Sequence, residues 1–146
     1  MVFWGYGWLS SLLRRLKLIE KLVHWLAQKP IFGTRDKVIQ DFTEAWCIAK
    51  IRRLVEPLDP PVGNPDYEEE FFVAEHLEST TFNHRETGVE TPFIQVGSLR
   101  EELEKLPGPK ISEELLDFIE YLLVIDHMKR PTALEALQHP YLQSLP

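Results

Sequence analysis

Residues 122–142 read Leu122-Leu123-Val124-Ile125-Asp126-His127-Met128-Lys129-Arg130-Pro131-Thr132-Ala133-Leu134-Glu135-Ala136-Leu137-Gln138-His139-Pro140-Tyr141-Leu142. Pro131 lacks an amide donor and disfavours a helix running through it. Thr132 and Glu135 then have the spacing of a capping box, in which the hydroxyl takes the third amide and the glutamate reaches back. A short helix through Leu137 is predicted, followed by His139-Pro140. Upstream, Ser112 caps a helix that carries Leu115, Leu116, Phe118, Ile119, Leu122 and Leu123 on one broad face. Glu113, Glu114 and Asp117 sit at its N-terminal end, where the helix dipole favours negative charge.

Working back along the chain, Ser98-Leu99-Arg100-Glu101 is a second capping box, and its helix ends at Pro107-Gly108-Pro109. Residues 57–97 read as a long proline-rich and acidic irregular insert, with room for a short helix from Tyr67 to Leu77. A helix is predicted after Thr34, with Val38, Ile39, Phe42 and Trp46 facing inward, and it must stop before Pro57, Pro60, Pro61 and Pro65. Apolar residues at 9, 12, 13, 16, 19, 23 and 26 predict an amphipathic N-terminal helix with Arg14, Arg15, Lys17 and Lys21 on its other face. No stretch has a clear strand pattern. The fold class is therefore mostly α, divided into an N-terminal amphipathic basic helix over 1–29 and a second region over 30–146.

The 146 residues suit one compact domain, and the 44% hydrophobic and 27% charged content is that of a globular chain. Cys47 is the only cysteine, which excludes an internal disulfide framework and a cysteine-based zinc site. The positive charges follow the apolar opening residues, the reverse of a secretory signal, and no apolar run reaches the roughly 18 residues of a membrane span. Net charge is −7, unevenly spread: residues 1–53 carry +6 and residues 54–146 carry −13. Such a split fits a basic contact surface or two regions that attract each other. The basic residues are not set in a nucleic-acid-binding motif, and the acidic remainder repels phosphates, so no nucleic-acid partner is expected. His24, His76, His84, His127 and His139 lack metal-ligand spacing.

The stretch 122–142 resembles the final segment of a eukaryotic protein-kinase catalytic domain. That family runs roughly from a leucine pair through Ile-Asp-Pro, a basic residue and Arg-Pro-Thr to Glu-Ala-Leu and His-Pro-aromatic. The chief departure here is His127 in place of proline. Lys29-Pro30-Ile31-Phe32 resembles the end of the family's long central helix, and Trp4-Gly5-Tyr6-Gly7 resembles its start. The aspartate expected two residues before that tryptophan is Val2. The long insert suits the branch with the SR-protein, cyclin-dependent and mitogen-activated kinases. The resemblance implies a partial C-lobe, built from its distal helices, of a serine/threonine kinase. The family's cofactors are ATP and Mg²⁺, and its reaction moves the γ-phosphate to protein hydroxyls.

The family's chemical groups lie in a glycine-rich loop, a strand lysine, an H-R-D loop with its asparagine, and D-F-G. None of these is matched. Gly5-Tyr6-Gly7 lacks a third glycine, and His84-Arg85-Glu86 has glutamate for aspartate. Asp41-Phe42-Thr43 precedes that stretch, in the wrong order and on a predicted helix. No catalytic, cofactor-binding or metal residue is therefore assigned, and the chain is expected to be inactive alone. The resemblance makes Arg130 the family's buried structural arginine, whose usual glutamate partner is missing. Either another acid, such as Glu120 or Asp126, replaces it, or the chain is unstable by itself. The alternative function is a non-enzymatic helical adaptor that docks a protein or a membrane surface through the basic N-terminal helix. A protein partner covering apolar helices is the expected partner, membrane contact is not, and the compartment is intracellular, cytoplasmic or nuclear, rather than secreted.

Overall fold

The computed structural model describes residues 21–24, 26–27, 31–55, 58, 65–126 and 128–145. Most of the regular structure among them is helical, with one small two-stranded sheet. The chain divides into two compact units, Phe32–Gly97 and the combination of Met1–Ile31 with Ser98–Pro146.

In the unit Phe32–Gly97, helix α1 (Thr43–Leu54) buries Ala45, Trp46, Ile48, Ala49, Ile51 and Leu54. Glu44 at its start and Arg52 and Arg53 at its end match the helix dipole. The helix begins later than the apolar spacing predicts. Phe42 has φ 60° and ψ 41°, a left-handed backbone that cannot continue a right-handed helix. Val38 and Phe42, expected to face inward, are 49% and 53% exposed. Polar contacts win over the apolar pattern here: Lys37 Nζ donates to Gln40 O at 2.7 Å and to Thr43 Oγ1 at 2.6 Å, which holds residues 37–43 in a non-helical path.

The stretch expected to be an irregular insert contains a 3₁₀ turn (Pro65–Tyr67), helix α2 (Glu68–Ser79), and strands β1 (Thr81–Asn83) and β2 (Glu90–Pro92). The short helix expected from Tyr67 to Leu77 is thus present, two residues longer at its end. It buries Phe71, Ala74 and Leu77, spaced by three along one face, and packs against α1. The strands, which the sequence pattern does not reveal, are three residues each and pair antiparallel with Phe82 opposite Thr91. Gly88 (φ 66°) closes the hairpin by donating to His84 O at 2.7 Å, a turn that glycine makes without a steric cost. Phe93, just past β2, lies against Phe82 with the rings tilted by 32° at 4.9 Å and meets the fully buried Trp46 edge-on at 6.5 Å. The hairpin therefore has an apolar anchor on α1, which two isolated strands need for stability.

In the other unit, the described residues 21–24 and 26–27 are helical, with Val23 and Ala27 buried. The rest of the helix predicted over 9–26, including Arg14, Arg15, Lys17 and Trp25, lies outside the described residues. Helices α3 (Leu99–Glu104), α4 (Glu113–Leu122), α5 (Ala133–Leu137) and α6 (Pro140–Gln143) follow. Their starts obey the capping chemistry expected of them. Ser98 and Glu101 form one complete capping box, Thr132 and Glu135 another, and Ser112 Oγ accepts from Leu115 N. Leu99, Leu103, Leu116, Ile119, Leu123 and Ile125 form the apolar interior of this unit. No helix among the described residues is long and apolar enough to cross a membrane.

Candidate functional site

Arg130 lies in the turn between α4 and α5, half-buried. Its Nε donates to Val124 O at 2.9 Å and its Nη2 to Ile125 O at 2.8 Å. Val124 and Ile125 lie just past Leu123, the C-terminal cap of α4. The guanidinium fork thus pins the chain where it leaves α4 with two charge-assisted bonds. Of the two acids expected to serve Arg130, Glu120 is engaged elsewhere, by Arg100. Asp126 helps to organise the turn: Oδ1 accepts from Met128 N at 2.9 Å, and Oδ2 lies 3.3 Å from Lys129 Nζ.

The rest of the quoted stretch is similarly occupied in holding its own shape. Glu135 Oε2 accepts from the Thr132 amide and hydroxyl at 2.7 Å each. Those bonds, the amide first, hold the Glu135 carboxyl below its ordinary value of 4.5. His139 caps α6 by accepting from Tyr141 N at its Nδ1. Its ring lies 5.0 Å from both Phe118 and Tyr121, and Phe118 stacks on Tyr141 at 5.5 Å. One face of α4 is thereby closed by α6. The apolar side chains of α5 remain open: Leu134 and Leu137 are exposed, as are Met128 and Leu145 nearby.

Arg100 forms the densest charge cluster among the described residues, and sequence reading did not single it out. Its Nη1 lies 2.7 Å from Glu113, and Nη2 lies 2.6 Å from both Asp117 and Glu120. Hydrogen bonding to Glu120, then Asp117, raises the guanidinium further above its already high value. The signal was available: acids at 113, 117 and 120 fall on one helical face by the three-and-four spacing rule. All three acids accept from the one guanidinium, which offsets part of their charge. No group of three or more His, Cys, Asp or Glu that could hold a metal ion occurs among the described residues.

In the unit Phe32–Gly97, Lys50 is the one buried charged residue among those described, at 3% exposure. It donates to Gly33 O and Asp36 Oδ1, both at 3.0 Å, while Trp46 Nε1 reaches the same Asp36 oxygen at 3.4 Å. The spacing of Trp46, Lys50 and Leu54 on one face was the sequence clue to its burial. Cys47, in the same helix, is half-buried, and that burial pushes its thiol up despite the opposing charge of Lys50.

The two stretches that imitate kinase motifs also lie in this unit. Asp41 and Phe42 precede α1 and Thr43 is its first residue, so the expected placement within a helix does not hold. His84, Arg85 and Glu86 lie at the hairpin turn. With Val38, Ile39, Phe82 and Phe93 they line an open groove of about 520 Å³. No protein-family model, curated protein or solved structure matches this chain.

Proposed function

We propose that this chain is a protein-kinase-like helical fragment, corresponding to the distal C-lobe of a serine/threonine kinase, that performs no phosphoryl transfer by itself and acts by binding a protein partner. What carries the reading is the combination of residues 122–142 in the family's order with the lack, in the same 146 residues, of H-R-D with its asparagine, D-F-G and the strand lysine. Phosphoryl transfer depends on positioning and on neutralising phosphate charge through those groups. The local geometry supports a structural role for the motif. Arg130, Thr132, Glu135 and His139 all bond to the backbone of their own turn or of the α4 terminus, and none is held ready for a ligand. The exposed Leu134, Leu137 and Met128 support the partner-binding half.

Thermal unfolding of the purified chain across a series of Mg-ATP concentrations tests the inactivity, because a ligand that binds only the native state raises the midpoint by mass action. The midpoint is expected to stay unchanged. A rise that grows with Mg-ATP would overturn the inactive reading. A crystal structure whose backbone over residues 98–145 departs from a kinase C-lobe would overturn the kinase-like one.

A further inference from the structure

We propose that residues 33–42 form a hinged strap over α1 that opens while the rest of the unit stays folded, and that the ion pair between Lys50 and Asp36 is the latch that keeps it shut. Both ends of the strap have left-handed backbone, Gly33 at φ 96° and Phe42 at φ 60°. Glycine adopts this conformation freely, whereas phenylalanine is strained in it, and such strain persists only when surrounding contacts enforce it. Within the strap, a single main-chain hydrogen bond links described residues, from Lys37 N to Thr34 O at 3.0 Å. Arg35, Asp36, Val38, Gln40, Asp41 and Phe42 are all exposed. Local opening is expected where a segment has few main-chain bonds and little buried surface.

The polar contacts that tie the strap down converge on one short stretch of α1. Lys50 holds Gly33 O and Asp36, and Trp46 holds the same Asp36 oxygen. In the closed state the Lys50 ammonium is withdrawn from water and depends on Asp36 for compensation. Opening returns the Lys50 ammonium to water, whereas Asp36 is already 46% exposed, so the closed state depends on the pair to offset the burial of Lys50 alone. The strap also supplies Val38 and Ile39 to the wall of the groove that faces Phe82 and Phe93. The latch therefore sets whether that groove exists in its closed form.

Cys47 reports on the opening. It lies between Trp46 and Lys50 in sequence, is half-buried, and is close enough to Asp36 and Lys37 to feel their charges. The experiment measures the rate at which Ellman's reagent labels Cys47 in the full chain over a urea series. It compares wild type with Asp36→Asn and Phe42→Gly. Local opening exposes little surface, so wild-type labelling should show a plateau at low urea that urea barely changes, ahead of the steep rise of global unfolding. Asp36→Asn should raise that plateau by about tenfold or more, the ratio that corresponds to losing one charged hydrogen bond. Phe42→Gly should lower it several-fold, since glycine forms the closed hinge without strain. Labelling that follows urea throughout, or a plateau that Asp36→Asn leaves unchanged, overturns the proposal. If Asp36→Asn does not fold, Phe42→Gly decides alone: an unchanged or higher plateau overturns it, and a lower one supports it.

Discussion

Replacing Arg130 with methionine keeps most of the aliphatic stem and removes the two bonds to Val124 O and Ile125 O at 2.9 and 2.8 Å. A hydrogen bond from a charged donor contributes about 1.5–3 kcal/mol. At a half-buried site water recovers part of the loss, so the lower end applies to each bond and the expected cost is about 3 kcal/mol. Arg100→Met is the matched control. It breaks more contacts, but their carboxylates belong to Glu113, Asp117 and Glu120, which are 64%, 62% and 45% exposed. Solvent screens such pairs, and about 1 kcal/mol is expected, shrinking as salt is added. Urea unfolding followed by far-UV dichroism, at low and high salt, measures both. Arg130→Lys should fall between wild type and Arg130→Met, because one ammonium does not reproduce a two-pronged guanidinium. The reasoning is refuted if Arg130→Met lies within about 0.5 kcal/mol of wild type, or if Arg100→Met is the more costly change.

Two further outcomes test the packing and the caps. Ile119→Ala, at a fully buried position of α4, should cost about 2–5 kcal/mol in the same urea assay, and a cost below 1 would mean that α4 does not bury this face. Glu135→Gln should flatten the acid limb of stability against pH. The Glu135 carboxyl is held below its ordinary 4.5, so its contribution is present above that value and lost as pH falls through the depressed one. An unchanged acid limb in thermal melts would mean that the Thr132 bonds do not form in solution.

Helix starts were the most legible feature because capping is local. Ser98, Ser112 and Thr132 each accept from the amide three residues on, as expected from nothing more than residue type and spacing. The apolar face of α4 was legible for the same reason. The region 32–97 was not. Val38, Ile39 and Phe42 have helical spacing, yet a lysine bonded to nearby carbonyls and one left-handed residue stop a helix there. Strands of three residues are too short for an alternating pattern to stand out, and their stability comes from Phe82 and Phe93 lying near Trp46.

The sequence by itself determined the mostly helical class, the caps of α3, α4 and α5, and the lack of the kinase chemical motifs, because each depends on residues within a turn or two of one another. Which charges meet was decided only in three dimensions. Arg100 meets Glu120 across twenty residues, Arg130 bonds to the carbonyls of Val124 and Ile125, and Lys50 reaches back fourteen residues to Asp36. A long charged side chain has many partners within reach of its sequence neighbourhood, and the choice among them follows from burial and competition, which exist only once the chain has packed.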